Sequence, residues 1–148
     1  MTTTVPRRPV SRAAAVAVAL ALFTLLSGCM GPAQQEVHRA LNADRAAHHL
    51  AALPIQADAQ AKAQAWAERL ARENGMYHST LTDGIRTRWC SLGENVGSGP
   101  SVNAIEQAYM ASPGHRANIL ATRWNGVGVG YATRGNTVYT VQVFIKTC

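Results

Sequence analysis

The hydrophobic period of this 148-residue chain changes once along its length, from 3.6 to 2, and that single change limits the folds open to it. Val37, Ala40, Leu41, Ala47 and Leu50 or Ala51 recur at helical spacing, which places a first helix over 34–51, ended by Leu53-Pro54. A second helix is expected from Asp58, as N-cap, to Asn74, with Gly75 just past its end. Its inward face is Ala59, Ala63, Trp66, Ala67 and Leu70, so close packing by alanines is expected, with Trp66 as the main bulk. A third helix over 101–111 turns Val102, Ile105, Ala108 and Tyr109 to one side. Ser112-Pro113 opens a short fourth, serine as N-cap and proline at the first helical position. From Val127 the pattern alternates: Val127, Val129 and Tyr131, a turn at Arg134-Gly135-Asn136, then Tyr139, Val141, Val143 and Ile145. One earlier strand, Trp89 to Val96, stands before a flexible break at Gly97-Ser98-Gly99-Pro100. Helices first and strands last make this an α+β chain, with helices laid on a small antiparallel sheet.

The ends of the chain bear on compartment. Arg7, Arg8 and Arg12 precede an apolar stretch, Ala13 to Leu26, of signal-peptide length and too short to span about 30 Å of hydrocarbon comfortably. Leu26-Ser27-Gly28-Cys29 resembles a bacterial lipobox, in which the cysteine is acylated and becomes the new N-terminus; an ordinary secretory signal with a chance cysteine is the alternative. The expected organisation is a lipoprotein signal over 1–28, a lipidated N-terminus and linker over 29–35, and one domain over 36–148. Cys90 and Cys148 then remain as an even pair in an exported protein, expected as a disulfide rather than two free thiols. Such a bridge would be worth roughly 4 kcal/mol in the chain-entropy account.

Without the three signal arginines, 11 basic residues face 8 acidic ones, a net charge of +3. There is neither a cationic run to track a phosphate backbone nor a nucleic-acid motif, so nucleic acid is set aside as a partner.

Three residues carry the chemistry. His78 lies in the aperiodic stretch 77–88, Glu94 sits between Gly93 and Asn95, and His115 falls at the third position of the short helix. Imidazole and carboxylate are the usual non-thiolate ligands of zinc and related ions. The positive end of the helix dipole should keep His115 neutral near pH 7, as a metal ligand or general base must be. Asn118, one turn on, could hydrogen-bond nearby backbone or orient a ligand. Each residue also has a plain structural reading: His115 as a packing or capping group, Glu94 as a salt-bridge partner. His38, His48 and His49 are expected in solvent, as are Arg116 and Arg123.

The combination His78-Ser79, Gly93-Glu94-Asn95, Ser112-Pro113-Gly114-His115-Arg116-Ala117-Asn118-Ile119-Leu120, Val127-Gly128-Val129-Gly130 and Val141-Gln142-Val143-Phe144, with Leu41-Asn42 and Arg45, resembles the CAP superfamily of cysteine-rich secretory, antigen 5 and pathogenesis-related proteins. The resemblance covers most of residues 36 to 145. It implies a three-layer α-β-α sandwich with a central cleft lined at the positions of His78, Glu94 and His115, and in some members a divalent ion held through the two histidines. Many eukaryotic members carry a second glutamate shortly after a tryptophan in the third helix. Tyr109 stands here in place of that tryptophan, followed by Met110-Ala111-Ser112, and Glu106, a turn earlier, would reach the cleft only if the helix were shifted.

Two functions follow from the resemblance. One is a noncatalytic lipoprotein, held to the outer face of the membrane by Cys29, whose cleft binds a lipid, a cell-wall fragment or a protein. The other is a zinc-dependent hydrolase with His78 and His115 as ligands and Glu94 as general base. Two histidines fall short of the three ligands of catalytic zinc, which favours the binding module. A serine hydrolase built on Ser79 or Ser112 has poor support, since neither lies in a nucleophile elbow.

Overall fold

In a computed structural model that describes residues 30–148, the elements are α1 (Pro32–Ala47), α2 (Ala57–Glu73), β1 (Trp89–Gly99), α3 (Val102–Ala111), α4 (Pro113–Ile119), β2 (Gly126–Arg134) and β3 (Thr137–Thr147). The signal segment and Cys29 lie outside the described residues. The strands form one antiparallel sheet in the order β1-β3-β2, so the last strand is central and β1 is an edge. Gly135-Asn136 is the two-residue hairpin loop, and only its first residue has a positive φ (56°), which glycine adopts without a Cβ clash.

Helix α2 covers one face of this sheet. Ala59, Ala63, Ala67, Leu70 and Ala71 pack against Val96, Tyr139, Val141, Val143 and Ile145 in one buried cluster. On β2 the residues turned toward α2 are glycines. A Cβ on Gly128 would fall 2.0 Å from the Ala59 carbonyl carbon, and one on Gly130 2.0 Å from the Ala63 carbonyl oxygen. Backbone thus meets backbone, and Gln60 and Gln64 stitch the contact by bonding the N–H and C=O groups of Val129 and Tyr131. The opposite face of the sheet, with Val127, Val129 and Phe144, lies under α1, α3 and α4, which bring Val37, Leu41, Ile105, Tyr109 and Ile119 into a second core. The result is the expected three-layer α-β-α sandwich.

Several local expectations change. The proposed linker over 29–35 is cut short because α1 begins at Pro32, with Gly31 N–H donating to the Gln34 side chain (2.7 Å). The helix also ends four residues before 51: the chain turns at His49 (φ 58°), and the Arg45 guanidinium bonds the Ala51 carbonyl (2.9 Å). Gln56, not Asp58, caps α2 by accepting from Ala59 N–H (2.8 Å); the Asp58 carboxylate instead accepts from Arg86 N–H, Thr87 N–H and the Thr87 hydroxyl. Trp66 packs against the core cluster as expected but is only half buried and so is not its main bulk, while Lys62 is buried and donates to the Thr80 and Asp83 carbonyls. Ala108 is exposed although its spacing placed it inward.

The glycine-rich break after Val96 is strand. Gly97 is flat backbone over which Ile105 and Tyr109 lie, a Cβ there meeting Ile105 at 2.6 Å, so its glycine serves packing rather than flexibility. Cys90 and Cys148 form the expected disulfide, tying the end of β3 to the start of β1. Gly128→Ala and Gly130→Ala should each cost about 3 kcal/mol or more, because the atoms in the way are α2 backbone that cannot rotate aside; urea unfolding midpoints check this, with Gly84→Ala, where nothing lies within 4 Å but φ is +78°, expected to cost less.

Candidate functional site

The residues singled out above gather at the free edge of β1, from both sides of the sheet. Side chains alternate along a strand, so Glu94 points with Val96 to the α2 side and Asn95 to the opposite side. The Glu94 carboxylate is buried, and its acceptor capacity is largely used. Oε1 accepts from Ser79 N–H (2.9 Å) and lies 2.8 Å from His78 Nδ1; Oε2 accepts from the Ser79 hydroxyl (2.6 Å). His78 itself is mostly in solvent, at 62% side-chain exposure against 1% for Glu94. With Nδ1 turned to the carboxylate, its Nε2 faces outward. The same contacts dispose of Ser79 as a nucleophile, since its hydroxyl donates to a carboxylate and not to an imidazole.

His115 approaches from the other side. Ser112 occupies the N-cap position and Pro113 the first turn of α4, although the Ser112 hydroxyl makes no capping bond. The His115 ring lies 5.0 Å from that of Tyr109, tilted by 57°. Burial first, and then the positive charge of His78, lower its pKa below the ordinary value of 6.5. The imidazole is neutral near pH 7 as the sequence implied, but desolvation supplies the cause in place of the helix dipole.

Asn95, which the sequence reading passed over, holds the two halves together. Wholly buried, its amide N–H groups donate to the His115 carbonyl (3.1 Å) and Gln142 Oε1 (2.9 Å), and its oxygen accepts from Asn118 Nδ2 (3.0 Å). Asn118 takes the backbone role open to it, donating to the Glu94 carbonyl (3.3 Å), and its own carbonyl accepts from Trp124 Nε1. Arg45 is buried and donates to the Ile119 (2.7 Å) and Ala121 (3.0 Å) carbonyls, anchoring the C-terminal end of the helix that carries His115. Asn95, Asn118 and Arg45 all stood in the motifs that carried the family resemblance, but nothing local to them showed these bonds. Of the other histidines, His48 and His49 are exposed as expected, His48 bonding the Asp44 carbonyl and Arg116 at the surface, whereas His38 is half-buried with Nε2 2.8 Å from the Leu53 carbonyl. Arg123 lies over the Trp124 ring at 4.1 Å.

Among the described residues, no group of three or more His, Cys, Asp and Glu is placed to hold a metal ion. What remains for one is a pair of imidazoles, short of the three protein ligands of a catalytic zinc. The donor set does not fit a zinc hydrolase.

The family described as "CAP: Cysteine-rich secretory protein family" matches residues 38–145. The chain belongs to the CAP family. Its CAP domain is 28% identical to the uncharacterized protein YkwD of Bacillus subtilis (strain 168) over 122 residues, 76% of this chain and 47% of that protein, so the chain spans about half the length of this relative. An outer surface protein of Borrelia burgdorferi superposes with a TM-score of 0.67 at 19% identity, covering 77% of this chain and 92% of that one. An extracellular SCP-domain protein of Bacillus anthracis superposes with a TM-score of 0.65 at 23% identity, over 82% of this chain and 45% of that one.

Glu106, the acid a turn before the expected position, is buried on α3. Glu106 Oε2 accepts from Gln142 Nε2 (2.7 Å), so Glu106 joins the Asn95 cluster from beneath without reaching His78 or Glu94. Its Oε1 is buried with no partner, which a proton directed to nearby Asp44 would supply. Desolvation, reinforced by the Asp44 charge and opposed by the Gln142 bond, raises its pKa to about 8. The folded carboxyl keeps its proton where an unfolded one, near 4.5, has lost it. Its contribution to stability is therefore complete below about pH 4.5 and is lost as pH rises to about 8. Unfolding at pH 5 and pH 8.5 should show a loss on the order of a few kcal/mol that Glu106→Gln abolishes, because the amide keeps a neutral donor and acceptor there.

Proposed function

We propose that this CAP domain is an exported binding module that takes a ligand of the cell envelope, a lipid, a cell-wall fragment or a protein, at the His78–Glu94–His115 edge. The observation that supports it best is the state of Glu94. A general base needs a free oxygen directed at a water, whereas both Glu94 oxygens are engaged by Ser79 and His78. The two imidazoles are left to meet a ligand, one neutral and partly buried, the other exposed. A divalent ion held by these two groups alone would be weakly bound. Export rests on the Arg7 to Cys29 signal and agrees with the location of two structural relatives, an outer surface protein and an extracellular protein. Attachment to the membrane through an acyl group on Cys29 rests on the lipobox-like Leu26-Ser27-Gly28-Cys29.

Calorimetric titration with zinc should give at most weak one-site binding, lost in both His78→Ala and His115→Ala. Tight stoichiometric binding, or ester or amide hydrolysis abolished by Glu94→Gln, would replace the binding module with the metallohydrolase. Mass spectrometry of the protein after export should find a diacylglyceryl-modified Cys29 at the new N-terminus; an unmodified Cys29 refutes the anchor while leaving the cleft untouched.

A further inference from the structure

A second concave surface lies on the outer face of α2, away from the core. Residues from Asp58 to Arg72 at spacings of three and four form one wall, and the segment Ser79–Arg86 forms the other, enclosing about 640 Å³. That volume lies within the range of about 300–1,000 Å³ typical of ligand sites. Ala61 and Ala65 leave the trough open where longer side chains would fill it. The far wall is fixed before any ligand arrives. Lys62 Nζ donates to the Thr80 (2.7 Å) and Asp83 (3.0 Å) carbonyls, Asp58 accepts from Arg86 and Thr87, and Trp66 Nε1 donates to the Tyr77 carbonyl (3.0 Å).

Those same bonds decide which charges are free. Four cations, Lys62, Arg69, Arg72 and Arg86, line the groove with two anions, Asp58 and Asp83. Lys62 and Asp58 are spent on holding the wall. Arg69 lies over Trp66 at 5.0 Å and is paired with Glu73. The guanidiniums of Arg72 and Arg86 make neither a hydrogen bond nor an ion pair among the described residues, and the Asp83 carboxylate makes no hydrogen bond there. The groove thus offers two guanidinium forks with no hydrogen-bonded partner, of which Arg86 also feels the Asp58 charge, and these match carboxylate or phosphate; the Asp83 carboxylate, which acts on Lys62 through its charge, and the Thr80 hydroxyl match hydroxyl donors.

We propose that this groove binds an anionic glycan, a sugar chain bearing spaced carboxylates or phosphates, with its acidic groups on Arg72 and Arg86 and its hydroxyls on Asp83 and Thr80. An acidic peptide satisfies the arginines equally but brings fewer hydroxyl donors and sets like charge against Asp83. The inference uses neither histidine, so it stands or falls independently of the metal and ligand assignments at Glu94.

Binding of fluorescently labelled polymers to the full chain tests it. Polygalacturonate carries carboxylates, phosphomannan carries phosphates, dextran is neutral, and poly-glutamate is anionic without sugar. Binding of polygalacturonate or phosphomannan, with none of dextran, is expected, weakening as salt rises. Arg72→Gln and Arg86→Gln should each weaken it about threefold and the double variant about tenfold, while Arg39→Gln, an exposed arginine on α1, leaves it unchanged. Which of the two polymers binds distinguishes the carboxylate from the phosphate source. No binding of either charged glycan, a loss in Arg39→Gln equal to that in the groove variants, or poly-glutamate bound as tightly as the glycans would each overturn the proposal. Matching urea midpoints for all variants exclude unfolding as the cause of any loss.

Discussion

The buried amide of Asn95 is the contact on which the arrangement at the sheet edge depends. It joins β1 to β3 through Gln142 and to α4 through the His115 carbonyl and Asn118, in a place where water cannot substitute for a lost partner. Because strand residues alternate, fixing Asn95 to one side fixes Glu94 to the other. One dipeptide therefore sets both the carboxylate that holds His78 and Ser79 and the amide that holds the helix carrying His115. Register does the rest: Asn95 lies opposite Gln142, and a slip of one residue would put the carboxylate into the core beneath α3.

The helical layers serve the same end by different means. On the α2 side, glycines on β2 bring the helix backbone down to the sheet, so the loop that leaves the helix delivers His78 and Ser79 to Glu94. On the other side, Arg45 reaches from α1 to the last carbonyls of α4, fixing the far end of a helix only seven residues long. Such a helix has little intrinsic stability, and its position comes from these polar ties. Glu106 belongs to the same buried network and makes it sensitive to pH between about 4.5 and 8, since ionising that carboxyl leaves a charge beside Asp44 with only Gln142 to offset it.

Much of this was legible in the chain. The change of period from 3.6 to 2 marked the order of helices and strands, Ser112-Pro113 placed His115 in the third position of its helix, and a strand was legible over Trp89 to Val96, though not its place at the sheet edge. Where the reading failed, a residue had two local roles open to it. Asp58 could cap a helix or bind the next loop, and Thr87 and Arg86 decided it; Trp66 has the spacing of a core residue and packs against the core, but is only half buried, with Arg69 and Tyr77 beside its ring. Gly97 and Gly99 looked flexible because the sequence does not show that Ile105 lies across them.

By itself the sequence determined the elements, their order, the cysteine pair and which side chains could do chemistry, because periodicity, capping and residue type act over a few neighbours. Only the tertiary structure decided what those side chains were free to do. Whether Glu94 could act as a base depended on Ser79 and His78, fifteen and sixteen residues away, and the neutrality of His115 depended on burial. Hydrogen-bond saturation and desolvation are properties of an assembled environment, and no local pattern of residues encodes them.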